Sequence, residues 1–244
     1  MHGVPRRARR DFLRHFAVVG GGLALPISAL VIEGRGEEEK AGEEHGEEIT
    51  PTEDLMREHG VLNRVLLVYE EALRRIDGGQ ELPPEALRDA AGIVRTFIEN
   101  YHEKNEENYL FPRFEKAHKL VELVTVLRAQ HQAGRELTSS IERLATLEAI
   151  RNETKGRELS EAMRLFIRMY RPHEAREDTV LFPALRSIVS PHEYAALGED
   201  FEDREHDLLG EDGFEKMVDS VAGIEKTLGI HDLAKFTPSS AKTK

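Results

Sequence analysis

The strongest constraint on the fold of this chain is a motif that occurs twice. Residues His102–Pro112 and His173–Pro183 are identical at six of eleven positions, and each reads His-x-x-x-Glu followed by Leu-Phe-Pro. Two single histidines, His59 and His131, precede the two motifs at almost the same distance along the chain. A repeat of this length predicts two copies of one helical hairpin, each contributing a histidine and then a His-x-x-x-Glu motif.

The hydrophobic pattern around these motifs is helical. Apolar residues recur every three to four positions, and strand signals are absent. Capping-box patterns at residues 50–53 and 190–193 predict the starts of the first and fifth helices, and Phe111–Pro112 predicts a break between the second and third. The short connections favour antiparallel neighbours. We therefore predict an all-α fold: an up-down-up-down four-helix bundle of two repeated hairpins, with one or two additional C-terminal helices, over residues 50–228.

The two ends of the chain are predicted to lie outside this bundle. Residues 1–15 contain five arginines and one aspartate, and Phe16–Ile32 is uncharged and moderately apolar, which is the layout of an export signal. Residues 33–49 contain eight glutamates and two basic residues, which predicts an acidic disordered linker. Residues 229–244 are predicted to be a disordered tail.

Part of the basic segment has a more specific pattern. Arg9, Arg10, Phe12 and Leu13 resemble the twin-arginine consensus. This resemblance implies export by the twin-arginine machinery across the cytoplasmic membrane, to the periplasm or the cell exterior. Residues 1–32 would then be a signal or, if uncleaved, an N-terminal anchor that makes the only contact with the membrane.

Composition excludes several classes of site and partner. The chain has no cysteine, which rules out disulfides, thiolate zinc sites and iron–sulfur clusters, so any metal must be held by His, Asp, Glu or Tyr. The formal net charge of −12 argues against a nucleic-acid partner, which would require a basic face.

Each of the four main helices carries a histidine on its core-facing stripe, and two of these have a glutamate one turn later. Burying four imidazoles and two carboxylates together would cost many kcal/mol without a compensating cation. We therefore predict two metal half-sites. Their candidate ligands are His59, His102, Glu106, His131, His173 and Glu177.

The repeat also suggests how the ligands are shared. Each ion would receive two imidazoles, one pair from each repeat, and Glu106 and Glu177 would bridge the ions. An octahedral ion then keeps about two positions for water, an oxo or hydroxo bridge, or an incoming ligand. Imidazole and carboxylate donors favour iron or manganese, and zinc is a further alternative.

The doubled motif, with Leu-Phe-Pro after each copy, resembles the hemerythrin-like (HHE cation-binding) domain over about residues 53–210. The resemblance implies a non-haem di-iron centre, oxo- or hydroxo-bridged, at the six residues above, with iron favoured over manganese or zinc. Oxygen carriers of that family have a further histidine one turn after the third-helix ligand, where this chain has Arg135. Additional candidates for ligands or for hydrogen-bond partners of ligands are Glu103, Glu174, His206 and Tyr170.

Three classes of function follow. The first, which we favour, is a cation-binding protein that binds or senses dioxygen, nitric oxide or iron at an open centre. The second is a di-iron enzyme that acts on peroxide or dioxygen, or in the repair of iron centres. The third is a structural zinc or manganese pair. The sequence contains no nucleophile motif or phosphate-binding loop, so it leaves open whether the protein is an enzyme.

Overall fold

The computed structural model describes residues 49–238, which form helices and no strands, as the sequence predicts. Four long helical runs make the bundle, and two of them alternate between α- and π-helical geometry. The elements are α1 (Pro51–Asp77); α2 (Pro84–Ile93), a π-helical segment (Val94–His102), α3 (Glu103–Asn105), a second π-helical segment (Glu106–Leu110) and α4 (Phe111–Lys116); α5 (Val121–Leu144); α6 (Leu147–Arg151); and α7 (Glu153–Arg176), a third π-helical segment (Glu177–Leu181) and α8 (Phe182–Leu185).

Two further helices, α9 (Pro191–Leu209) and α10 (Gly213–Leu228), follow the bundle, as the sequence predicts, and pack against its first half. None of the helices between residues 49 and 238 has the length and apolar character needed to span a bilayer. The predicted signal, with Arg9, Arg10, Phe12 and Leu13, lies outside the described residues.

Both predicted capping boxes are present. The Thr50 hydroxyl accepts a hydrogen bond from the Glu53 backbone N–H, and the Glu53 carboxylate accepts one from the Thr50 N–H at 2.9 Å. Ser190 and Glu193 make the same pair at the start of α9. Because these bonds satisfy N–H groups that lack intrahelical partners, they fix where the helices begin.

The predicted break at Phe111–Pro112 is wrong. The chain stays helical to Lys116 and reverses only afterwards, where His118 and Leu120 have φ of 51° and 53°. Pro112 lacks an N–H, but it lies in the first turn of α4, directly after the second π-helical segment. The Glu107 carbonyl, five residues before Pro112, accepts a hydrogen bond from the Arg128 guanidinium at 3.3 Å.

The predicted disordered tail is partly structured. Leu233–Phe236 form a 3₁₀ turn, which begins where the Asp232 carboxylate accepts a hydrogen bond from the Ala234 N–H at 3.0 Å. Such local side-chain bonds stabilise a short turn without a hydrophobic core.

The core is divided into two apolar clusters at opposite ends of the bundle. On α1, Leu55 belongs to one cluster and Leu62 to the other, and on α5 Leu127 and Ile141 are divided in the same way. Polar residues lie between them, His59 on α1 and His131 on α5. The bundle therefore contains a buried polar layer, and the functional candidates lie in it.

Candidate metal centre

Four histidines, one from each long helical run, meet in this polar layer. His59 lies on α1, His102 ends the first π-helical segment, His131 lies on α5 and His173 on α7. Each is at most 3% exposed. The rings of His59 and His102 have centroids 4.7 Å apart, and those of His131 and His173 are 5.1 Å apart. The imidazoles therefore form two pairs, one from each sequence repeat.

Two fully buried carboxylates lie between the pairs. Glu177 Oε2 is 3.4 Å from His59 Nε2 and 3.1 Å from His173 Nε2. Glu106 Oε2 is 3.7 Å from His102 Nε2 and 3.4 Å from His131 Nε2. Each carboxylate thus faces one imidazole of each pair, which is the placement that a bridging ligand requires.

The inner atoms of this cluster lack hydrogen-bond partners among the described residues. Both oxygens of Glu106, both oxygens of Glu177 and Nε2 of His131 are buried without one. A buried polar atom without a partner costs about 1–3 kcal/mol, and more if it is charged. Carboxylate oxygens and imidazole nitrogens that point at one another are the donor set that a divalent cation satisfies. The residues therefore fit a pair of metal ions.

The outer nitrogens of the four rings, in contrast, all have partners. Nδ1 of His59 lies 2.7 Å from Asp178 Oδ1, and Nδ1 of His102 lies 2.7 Å from Glu58 Oε2. The corresponding partners of the second pair are Glu107 Oε1 for His131, at 3.1 Å, and Gln130 Oε1 for His173, at 2.9 Å. An acceptor at Nδ1 keeps a proton there and leaves the Nε2 lone pair free to bind a metal.

The repeat extends to these outer acceptors. Glu107 and Asp178 each directly follow a motif glutamate, and Glu58 and Gln130 each directly precede the first histidine of a repeat, so both pairs occupy equivalent positions. Sequence reasoning missed all four. A signal exists for Glu107 and Asp178, because the residue after each motif glutamate is acidic in both copies.

The Leu-Phe-Pro ending of each motif also has a role at the site. Phe182 stacks on His59 with centroids 5.6 Å apart and an interplanar angle of 17°, and Phe111 stacks on His131 at 5.5 Å and 23°. Each phenylalanine thus covers an imidazole supplied by the other repeat. This packing fixes the ring planes and excludes water from the cluster.

Both motif glutamates begin a π-helical segment. The N–H of Phe111 donates to the Glu106 carbonyl, and the N–H of Phe182 donates to the Glu177 carbonyl, both five residues back. Short π-helical segments often occur at functional sites. Because the turn is wider, two adjacent acids can contact different nitrogens of one ring. Glu106 lies at the cluster centre near His131 Nε2, and Glu107 contacts His131 Nδ1.

Without a cation, the two central carboxylates differ in their protonation. Burial and the adjacent charge of Glu177 raise the pKa of Glu106 well above its usual value. Burial also acts to raise the pKa of Glu177, but the neighbouring His173 and His59 hold it well below its usual value. Two carboxylates in contact cannot both ionise at normal cost, so Glu106 keeps the proton.

The imidazoles of the first pair differ in the same way. Burial lowers the pKa of His59, but the hydrogen bond to Asp178 and the adjacent carboxylate of Glu177 outweigh it and raise the pKa to about 10. Burial and the positive charge of His59 hold the pKa of His102 well below its usual value. At neutral pH the first pair of the metal-free cluster therefore carries its positive charge on His59, beside the carboxylate of Glu177.

Comparison with known proteins agrees with this geometry. The sequence model of the hemerythrin HHE cation binding domain matches residues 50–185, more than half of the chain. The chain belongs to this family. Three relatives, an uncharacterized protein from Mycobacterium bovis and two from strains of Mycobacterium tuberculosis, are each 51% identical over 191 residues, covering 78% of this chain and 75% of the relative. No solved structure matches the chain.

The hemerythrin-like site of this chain contains an arginine among its acids. The Arg135 guanidinium contacts Glu103 at 2.7 Å and Glu107 at 2.6 Å. The other Glu103 oxygen accepts a hydrogen bond from the Tyr170 hydroxyl at 2.7 Å. Burial raises the pKa of Glu103 to about 8, although Arg135 opposes the shift. Glu103 and Tyr170, both predicted as additional candidates, therefore form a buried network beside the cluster.

The remaining additional candidates lie elsewhere. Glu174 is buried and accepts a hydrogen bond from the Asn63 amide, and burial raises its pKa to about 8. Asn63 and Arg135 occupy equivalent positions, and each donates to the glutamate that follows the second histidine of the other repeat. His206 is exposed on α9 and lies in none of the buried ligand groups of the described residues.

The position of Tyr170 depends on a glycine. A Cβ at Gly134 would overlap the Tyr170 hydroxyl oxygen, so Gly134→Ala must displace the ring and break its bond to Glu103. We expect the unfolding free energy to fall by about 1–3 kcal/mol, measured by denaturant titration. Gly92→Ala, where no heavy atom lies close to the added Cβ, is the matched control and should be neutral or slightly stabilising. Equal stability of the two variants would contradict this account of Tyr170.

Proposed function

We propose that this hemerythrin-like protein holds two iron ions at the buried cluster and binds or senses dioxygen, nitric oxide or peroxide there. The observation that carries the proposal is that the Nε2 atoms of two imidazole pairs face two carboxylates whose four oxygens have no hydrogen-bond partner among the described residues. A bound iron pair would supply redox-active ions with open coordination positions.

The number of protein ligands supports open coordination positions on the metal ions. His59 and His102 with one oxygen of each central carboxylate would give a first ion four donors, and His131 and His173 with the other two oxygens would give a second ion the same number. An octahedral ion then has about two positions to spare. Arg135, one turn after His131, supplies no imidazole, and its guanidinium is instead held by Glu103 and Glu107.

Burial supports a small ligand. The six candidate ligands are each at most 3% exposed, so only a molecule of about the size of dioxygen or nitric oxide reaches them without rearrangement. This favours binding or sensing over turnover of an organic substrate. Rapid peroxide turnover by the iron-loaded protein would favour the di-iron enzyme. Two zinc or manganese ions that do not respond to these ligands would favour the structural alternative.

Metal analysis tests the ligand assignment. We expect about two iron ions per chain in the native protein, with near-ultraviolet absorption that changes on addition of nitric oxide. His59→Ala should retain about one ion, because it leaves the second imidazole pair intact. Glu177→Gln should retain less than one, since Glu177 faces both pairs. His206→Ala is the control and should retain about two. Full metal content in Glu177→Gln would disprove the bridging assignment.

The pKa shifts predict a pH dependence of metal uptake. At pH 7 the metal-free protein holds a proton on His59, whose pKa is about 10, and another on Glu106, whose pKa is raised. Both protons must leave before these groups donate to a metal, so binding should release about two protons per chain. The apparent affinity should therefore rise with pH, with the His59 contribution continuing to about pH 10.

Calorimetric titration of the metal-free protein in two buffers of different ionisation enthalpy measures the number of protons released. His59→Gln should lower that number by about one. A heat of binding that does not change with the buffer would contradict the predicted protonation.

We also propose that the chain is exported by the twin-arginine machinery. The support is the sequence of residues 9–14 and the apolar stretch that follows them. Replacing Arg9 and Arg10 with lysine should keep the protein in the cytoplasm, as measured by fractionation of cells that express the full chain. Arg6→Lys with Arg7→Lys is the matched control and should leave export unchanged. Export of the Arg9/Arg10 variant at the normal level would contradict the proposal.

A further inference from the structure

The two repeats differ in what covers their outer faces. The outer face of the first repeat, formed by α1 and the run from α2 to α3, lies under α9 and α10. Phe97 packs against Phe214 with ring centroids 6.3 Å apart, and Arg64 pairs with Glu225 at 2.6 Å. Asn105 accepts a hydrogen bond from Arg204 at 2.8 Å. This face is therefore closed by other parts of the same chain.

The equivalent face of the second repeat, which we call the α5/α7 face, has no such cover among residues 49–238. Two grooves of about 380 and 610 Å³ run between α5 and α7 and share Gln130 and Pro172. Val126 is 52% exposed and Leu165 43% exposed. Large apolar side chains that are exposed in adjoining grooves typically mark a binding surface.

The sequence repeat shows that this face has the positions of a buried interface. Leu137 is equivalent to Val65, which is fully buried in the first repeat. Four positions on the α7 side of this face also have fully buried equivalents in the first repeat. The equivalent pairs are Leu165 and Val94, Arg168 and Phe97, Met169 and Ile98, and Pro172 and Tyr101. The grooves are thus the counterpart of the surface that α9 and α10 cover.

The charges on the α5/α7 face show what it can bind. Its exposed acids, Glu122 and Glu136, are both on α5, and its exposed bases, Arg168 and Arg176, are both on α7. None of the four forms a salt bridge to another described residue. An acidic helix beside a basic helix is complementary to a second such pair that faces it across a twofold axis parallel to the helices.

We propose that the α5/α7 face binds the α5/α7 face of a second copy of this chain, in a twofold-symmetric dimer. The start of α5 lies beside the end of α7, and Arg143 near the end of α5 pairs with Glu158 near the start of α7, so the helices are antiparallel. A twofold axis that lies between the two faces and runs parallel to the helices then lays α5 of each copy along α7 of the other. Acids meet bases, the Val126 ends of the two grooves face each other, and so do the Leu165 ends.

The size of the face suits such a dimer. From Glu122 to Ser140 the grooves follow α5 for about 27 Å, and two adjacent helices are about 20 Å wide. The resulting contact of some hundreds of Å² per copy is at the lower end of specific interfaces, so we expect micromolar dissociation.

The dimer would also close the second half-site. Gln130 lies in both grooves and is only half-buried, whereas its equivalent Glu58 is 1% exposed. Gln130 accepts the hydrogen bond of His173 Nδ1. A second copy would shield this bond from water, as the first repeat's own chain shields the bond between Glu58 and His102. Only this consequence rests on the proposed metal site; the dimer itself does not.

Sedimentation of the full chain, with and without metal, tests the dimer. The wild type should change from 27.7 kDa to twice that mass as its concentration rises. Glu136→Arg and Arg168→Glu should each weaken dimerisation at least tenfold, because like charges then face each other at two symmetric contacts. A mixture of the two variants should form a heterodimer, since each charge then meets its opposite. Leu208→Glu, at an exposed leucine on α9, is the control and should not change dimerisation.

A unique thiol identifies the alternative occupants. The chain has no cysteine, so Val126→Cys gives one labelling site. Protection of this thiol that increases with protein concentration, together with rescue in the mixture, supports the dimer. A protein that stays monomeric at every concentration overturns the proposed dimer. In that case, protection of the thiol that does not change with concentration would assign the face to another segment of the same chain. A fully reactive thiol would show that the face is open. A dimer that neither charge reversal weakens also overturns it, because the contact must then lie elsewhere.

Discussion

The rest of the structure depends on the burial of four imidazoles and two carboxylates in one layer of the bundle. Ions moved out of water lose several kcal/mol each, and attraction offsets this only with good geometry. The structure meets the requirement on the outside of the layer, where every imidazole Nδ1 has an acceptor. On the inside of the layer, four carboxylate oxygens and one imidazole Nε2 have no hydrogen-bond partner among the described residues. That division, satisfied outside and unsatisfied inside, is what distinguishes a cation site from a structural polar cluster.

The duplicated motif produces both the paired outer nitrogens and the unpaired inner oxygens with few residues. One eleven-residue motif supplies an imidazole, a central carboxylate, an adjacent acid for the outer nitrogen of the other repeat's histidine, and a phenylalanine that stacks on that same ring. The contacts cross between repeats: Asp178 and Phe182 serve His59, and Glu107 and Phe111 serve His131. Neither hairpin can therefore form a complete site alone, which makes the association of the two halves part of site formation.

Much of this can be predicted from the sequence, because periodicity and repetition survive in a single chain. The helices, both capping boxes and the convergence of six ligand candidates follow from spacing alone. The predicted break at Phe111–Pro112 is wrong because a proline need not end a helix where a preceding π-helical segment accommodates it. The hydrogen bonds from Arg135 and Tyr170 to Glu103 cannot be predicted, since they depend on which helix faces lie together and on the space left by Gly134.

The two repeats have equal geometry at the metal layer but unequal surroundings. In the first, a neutral amide, Asn63, donates to Glu174; in the second, the guanidinium of Arg135 donates to Glu103 and also reaches Glu107. The first half-site is backed by the buried Glu58, and the second by Gln130 at the edge of a groove. Two ions bound here would therefore differ in local charge and in access to solvent.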